Sequence, residues 1–159
     1  MEVIHMNQEE ILLCIGKWQK TLKLQDWDIQ YLPVEVPWRK SGDIKIDDDN
    51  RNAVLMLNRY NPKRQNLEEI ILHELLHLRL RGFDVMIEEL INLVYGIDEK
   101  NTQREFAYSQ FMLLLETTVQ DVTKSFFEAR DQGYQMELGR LKDEISQEIG
   151  TKEFKVIAK

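Results

Sequence analysis

Two imidazoles and a carboxylate fall within five residues, His73-Glu74-Leu75-Leu76-His77. At about 100° per helical residue, positions four apart differ by roughly 40°, so both histidines can reach one ion from the same face of a helix. The pattern, HExxH, is that of zinc hydrolases. Its two histidines bind the metal as neutral imidazoles, while the glutamate, Glu74, stays off the ion and takes a proton from the bound water. The chain has three histidines, and two of them stand at this spacing. Ile70, Ile71, Leu72, Leu75, Leu76 and Leu78 make the segment apolar almost all round, which predicts burial on several sides. The bland alternative is a core helix whose histidines bond to carbonyls and whose glutamate pairs with a basic residue.

Two histidines and a water leave tetrahedral zinc one protein ligand short. His5 lies near a terminus and reads as a solvated histidine, and Cys14, among Ile11, Leu12, Leu13 and Ile15, reads as a small core residue. Downstream carboxylates remain, and Glu116 is the best placed. Its helical neighbours are Met112, Leu113, Val119 and Gln120, so it interrupts an apolar face where an acid is costly unless it is paired or bound to metal. A pairing with lysine or arginine at the edge of the stripe is its competing explanation. Asp84, Glu88, Glu89 and Glu105 are rival donors in segments that read as solvent-facing.

With His73 to Leu78 and Glu116 to Val119 in view, the chain resembles the gluzincin group of zinc metallopeptidases. It is most similar to the single-chain minigluzincins and to small metallopeptidase-type proteins of phages and mobile elements. The resemblance runs from about Trp27 to Phe127. It implies Zn2+ held by His73, His77 and Glu116, with Glu74 as general base and acid in peptide-bond hydrolysis of a peptide or protein substrate. It also implies that Ala53-Val54-Leu55-Met56-Leu57 is the edge strand bordering the cleft. Arg79 departs from the pattern, standing where peptidases of this type are usually apolar. Tyr95 and Tyr108 are the candidates for steadying the tetrahedral intermediate. The alternative function is a catalytically silent zinc-binding regulatory or structural protein of a phage or mobile element.

At 159 residues, 43% hydrophobic and 31% charged, the chain suits one compact domain with a modest core. A formal charge of -7 argues against general nucleic-acid binding, since phosphate affinity comes from lysine and arginine. Lys20, Lys23, Arg39, Lys40, Lys63 and Arg64 read as scattered solvated surface. No apolar run is long enough to span a membrane, and Met1 to Glu10 lacks the order of a signal peptide. The single cysteine agrees with a reducing compartment, so a cytoplasmic location is expected.

The elements that must position the site follow from periodicity. Asn7 with Glu10 opens an amphipathic helix to Leu24, carrying Ile11, Leu12, Ile15, Trp18 and Leu22. Trp27 to Leu32 alternates as a strand, with Pro33 and Pro37 beyond it. Asp43 to Asp47 and Ala53 to Asn58 flank Asp48-Asp49-Asn50 as a hairpin, and the acidic turn lacks the glycine and terminal glutamate of a calcium loop. Asn66 and Glu69 form a capping box for the HExxH helix, Gly82 is placed to end it, and Arg79 and Arg81 serve as last-turn charges. The expected fold is α+β and zincin-like: an N-terminal helix and small twisted sheet packed on the HExxH helix, then a helical subdomain. The division expected is residues 1-127 for the minimal metallopeptidase domain and 128-159 for a C-terminal helix and tail. Glu128 to Ile149 reads as one charged helix with a narrow stripe of Tyr134, Leu138, Leu141 and Ile145, which packs either on the domain or on another copy of the chain. Thr151 to Lys159 is either a strand folded beside the cleft or a frayed tail.

Overall fold

In the computed structural model, residues 6–131 and 140–150 are described. His5, Tyr134, Leu138 and the tail from Thr151 lie outside them. The chain forms two compact units, Met1–Thr123 and Lys124–Lys159. The first is α+β, and His73, Glu74, His77 and Glu116 all lie inside it.

Helix α1 (Gln8–Thr21) starts at a complete capping box: the Asn7 side chain accepts from Glu10 N–H, and Glu10 accepts from Asn7 N–H. Its buried residues, Ile11, Cys14, Ile15 and Trp18, recur at helical spacing and turn one face inward. That face meets α2 (Leu67–Tyr95), where Trp18 Nε1–H donates to Glu68 Oε1 at 2.9 Å.

Three strands follow α1: β1 (Asp28–Val34), β2 (Gly42–Asp47) and β3 (Asn52–Asn58). The hairpin expected from the sequence forms, with β2 antiparallel to β3. Its turn is tied by Asp47, whose carboxylate accepts from Asp49 N–H, Asn50 N–H and the Asn50 amide. Those bonds hold the Asp47 carboxyl below its usual range, and Asp48 is taken by Arg81, so the acidic cluster is accounted for as a turn. Strand β1 adds on the other side of β3 and parallel to it, giving the order β1-β3-β2. The expectation that Ala53 to Leu57 is the edge strand therefore fails. A strand with Ala53, Leu55 and Leu57 at 0–1% exposure needs partners on both sides, and the polar Gly42–Asp47 takes the edge instead.

Pleating puts Gly42, Ile44 and Ile46 of β2 on the same face as Leu57, Leu55 and Ala53 of β3, the face that packs on α2. Beyond the sheet, Asn58 is fully buried and binds the connecting loops together. Its amide donates to the carbonyls of Trp38 and Lys40, and its oxygen accepts from the N–H groups of Tyr60 and Asn61.

Helix α2 starts at the N-cap Asn66, which accepts from Glu69 N–H, but it does not stop at Gly82. An interior glycine costs a helix only about 1 kcal/mol, which the thirteen helical residues on the far side outweigh. The chain ends the helix where it can adopt a left-handed conformation, at Gly96 with φ +79°. Arg81 is consequently an interior residue, paired with Asp48 at 3.0 Å and Asp84 at 3.1 Å, and Glu88 and Glu89 continue the same helix.

Helix α3 (Thr102–Arg130) absorbs Glu128 to Arg130, and α4 (Arg140–Ile149) is separate, so the single helix expected over Glu128 to Ile149 is not formed. No helix among the described residues is long and apolar enough to cross a membrane.

Candidate metal centre

The first half of α2 is buried all round: Ile70, Ile71, Leu72, Leu75, Leu76 and Leu78 are each at most 5% exposed. Only the sector carrying His73, Glu74 and His77 opens to a cavity of about 390 Å³. The wall opposite is β2, through Gly42, Asp43, Ile44 and Ile46, while α3 closes the remaining side with Met112, Leu115 and Glu116.

His73 Nε2 and His77 Nε2 stand 3.3 Å apart, with ring planes at 65°. Glu116, one element away, reaches both: Oε2 is 3.5 Å from His73 Nε2, and Oε1 is 3.2 Å from His77 Nε2. One ligand atom from each lies within 4.8 Å of the other two, so the three form a group that could hold a metal ion. It is the one such group among the described residues. Asp84 lines the cavity without joining it, and Glu88, Glu89 and Glu105 do neither. Cys14 is buried in α1, as its neighbours suggested.

The electrostatics of the group are those of convergent opposite charges. His73 and His77 hold the Glu116 carboxyl far below the usual carboxylate range. Burial pulls His77 down, but Glu116 first, then Glu74 and Asp84, outweigh it and leave its imidazole raised. Glu74 is raised because burial dominates over the attraction of the two histidines. A carboxylate deep in the wall, beside but outside the ligand group, can exchange a proton at moderate cost.

Strand β2 presses directly on that carboxylate. A Cβ at position 42 would lie 3.2 Å from Glu74 Oε1 and 2.5 Å from Ile70 Cγ2, so only glycine lets the strand come this close.

Behind His73 lies a set of bonds that the sequence did not announce. Gln120, one turn beyond Glu116, donates from Nε2 to Glu69 Oε1 at 3.2 Å, and its Oε1 accepts from Arg64 Nη1 at 2.9 Å. Both neighbours fix which end of the amide is oxygen, so the 3.0 Å contact with His73 must be Nδ1–H donating to Gln120 Oε1. That leaves the Nε2 lone pair of His73 aimed at the ligand group, the tautomer a metal requires. Glu69 is thereby tied to α3 as well as to its own N-cap, and Arg64 is not mere surface. The apolar setting of Gln120 was visible only as part of the neighbourhood of Glu116.

Lys40 and Arg81 also line the cavity, each held by acids: Lys40 by Asp43 at 3.0 Å, Arg81 by Asp48 and Asp84. Neither Tyr95 nor Tyr108 lines it. Arg79 points to solvent, so its departure from the apolar pattern disturbs nothing in the core.

The fold and the site thus define an α+β protein with a His-His-Glu group suited to a metal ion. Comparison with known proteins found no match, whether among family models, curated proteins or solved structures.

Proposed function

We propose that this chain is a zinc-dependent peptide hydrolase with a minimal zincin-like arrangement, in which His73, His77 and Glu116 hold the ion and Glu74 is the general base and acid. The observation that carries the reading is the convergence of these three side chains from two helices on one point, with the half-buried Glu74 carboxylate beside it in the wall of an open cavity. Two neutral nitrogens and one carboxylate are a donor set that zinc favours. When bound, the ion would lower the pKa of water and polarise a carbonyl.

The residues of the chain supply the rest. Glu74, raised by burial, accepts the proton of the attacking water and returns it to the leaving nitrogen. Gln120 keeps His73 in the required tautomer. Strand β2, paired only with β3 among the described residues, presents its outer backbone edge along the cavity, where an extended peptide could add as a further strand.

A second reading, a silent zinc-binding protein of regulatory or structural role, is favoured by one observation. Neither tyrosine considered for the intermediate reaches the cavity, and the two cations that do are already paired. Metal analysis and cleavage of a broad peptide library decide between them. Wild type should bind one equivalent of zinc, with loss in both His73→Ala and Glu116→Ala. Glu74→Gln should retain zinc and lose cleavage. Zinc at one equivalent with no cleavage by wild type selects the second reading, and retained zinc in Glu116→Ala refutes the ligand set.

A further inference from the structure

Beyond Arg81 the character of α2 changes. Phe83, Met86, Leu90 and Leu93 follow one another at steps of three, four and three, the a and d spacing of a coiled coil. All four are open to solvent, at 66%, 54%, 51% and 83%, and Val94 and Ile97 beside them at 62% and 80%. With about 150–200 Å² of surface on each such side chain, the six expose roughly 600–800 Å². That exceeds the ~300–600 Å² of the largest patch on an ordinary monomer and approaches the ~800 Å² per partner of a standard interface.

We propose that this stripe is the contact surface for a second copy of the chain, with the two α2 helices packed antiparallel about a two-fold axis near residue 88. The stripe is symmetric about that point. Phe83 would meet Leu93 of the partner subunit, and Met86 would meet Leu90 of the partner subunit, each an a position against a d position. The antiparallel sense follows from what flanks the stripe. Leu76, one heptad before Phe83, is only 5% exposed, so the chain's own fold covers that side of the helix. A parallel pair would drive the two covered ends into each other. An antiparallel pair sets each covered end against the open far end. It also brings the exposed Arg79 beside Asp98 and Glu99 of the partner subunit, both exposed acids.

Sedimentation equilibrium of the full chain tests this over low-micromolar to several-hundred-micromolar concentration. The expected result is a species of twice the 19.0 kDa chain mass. Leu90→Glu with Leu93→Glu should weaken dimerisation at least a hundredfold, with helix content and metal uptake unchanged because both side chains are exposed. Arg79→Glu should weaken it tenfold or more, and adding Glu99→Lys should restore it. A chain that stays monomeric overturns the proposal, as does a dimer that survives Leu90→Glu/Leu93→Glu. So does a dimer abolished by Leu141→Glu/Ile149→Glu but not by the α2 pair, which would move the contact to α4. A monomer that binds anionic phospholipid vesicles through the same residues would assign the stripe to a membrane surface instead. A charge reversal at Arg79 without effect overturns the antiparallel register.

Discussion

Replacing Gln120 by leucine removes the one acceptor of His73 Nδ1–H while keeping a side chain of similar length. His73 is 13% exposed and Glu69 only 9%, so neither recovers full hydration when the amide is lost. Arg64, 47% exposed, does, and its bond contributes little. Leaving a buried donor unmatched costs about 1–3 kcal/mol, which sets the expected loss in metal-free stability. Freed from Gln120, the His73 ring can also take the other tautomer or rotate, and loss of such an outer bond weakens metal binding by about 10–100-fold, or about 1.4–2.7 kcal/mol. Zinc titration against a chromogenic chelator measures the second quantity, and urea denaturation in the presence of EDTA the first. Gln120→Glu separates the two effects. It keeps an acceptor towards His73, so affinity should hold, yet it sets a second carboxylate against Glu69, so stability should fall. Zinc affinity in Gln120→Leu equal to that of wild type would refute the orienting role.

Three other expectations rest on particular contacts. Gly42→Ala places a methyl 2.5 Å from Ile70 Cγ2 and should cost about 1–3 kcal/mol by urea denaturation. Combining it with Ile70→Ala should cost less than the sum of the two single changes, and strict additivity would count against the clash. Asn58→Ala strips partners from two carbonyls and two N–H groups around a fully buried site, so about 2–3 kcal/mol should be lost, whereas an unchanged midpoint would show that water replaces the amide. Asp43 is subject to burial, which raises its carboxyl, but Lys45 and Lys40 overcome it and leave the carboxyl lowered. A folded pKa below the unfolded one contributes stability above the unfolded value and loses it as pH falls through the folded value. Asp43→Asn should therefore flatten the acid limb of the stability curve below about pH 4 and leave its shape near neutrality unchanged; an identical acid limb would remove the contribution.

Local order was legible in the chain wherever a local rule sufficed. The Asn7 capping box, the apolar face of α1 apart from the exposed Leu12, the β2–β3 hairpin and the start of α2 each depend on residues a few positions apart, and the structure has them. The limits of α2 and α3 were not legible. Gly82 and Gly96 look alike in a sequence, and what separates them is backbone conformation: Gly96 takes φ +79°, while Gly82 stays helical. Glu128 to Arg130 look like the start of the next helix because their charges resemble it, yet they extend α3.

The spacing of His73, Glu74 and His77 on one helical turn is a property of the sequence alone, because helical geometry converts four positions into one face whatever surrounds it. Tertiary structure decided which distant side chains complete that face. Glu116 was one carboxylate among several until α3 folded against α2, and Gln120, Glu69 and Arg64 became a relay only when three separate segments met. The cavity wall was decided in the same way, since β1 took the far side of β3 and left β2, with Gly42 against Glu74, at the edge. Hydrogen bonds and strand pairs between remote segments depend on how the whole core packs, and no local pattern specifies that.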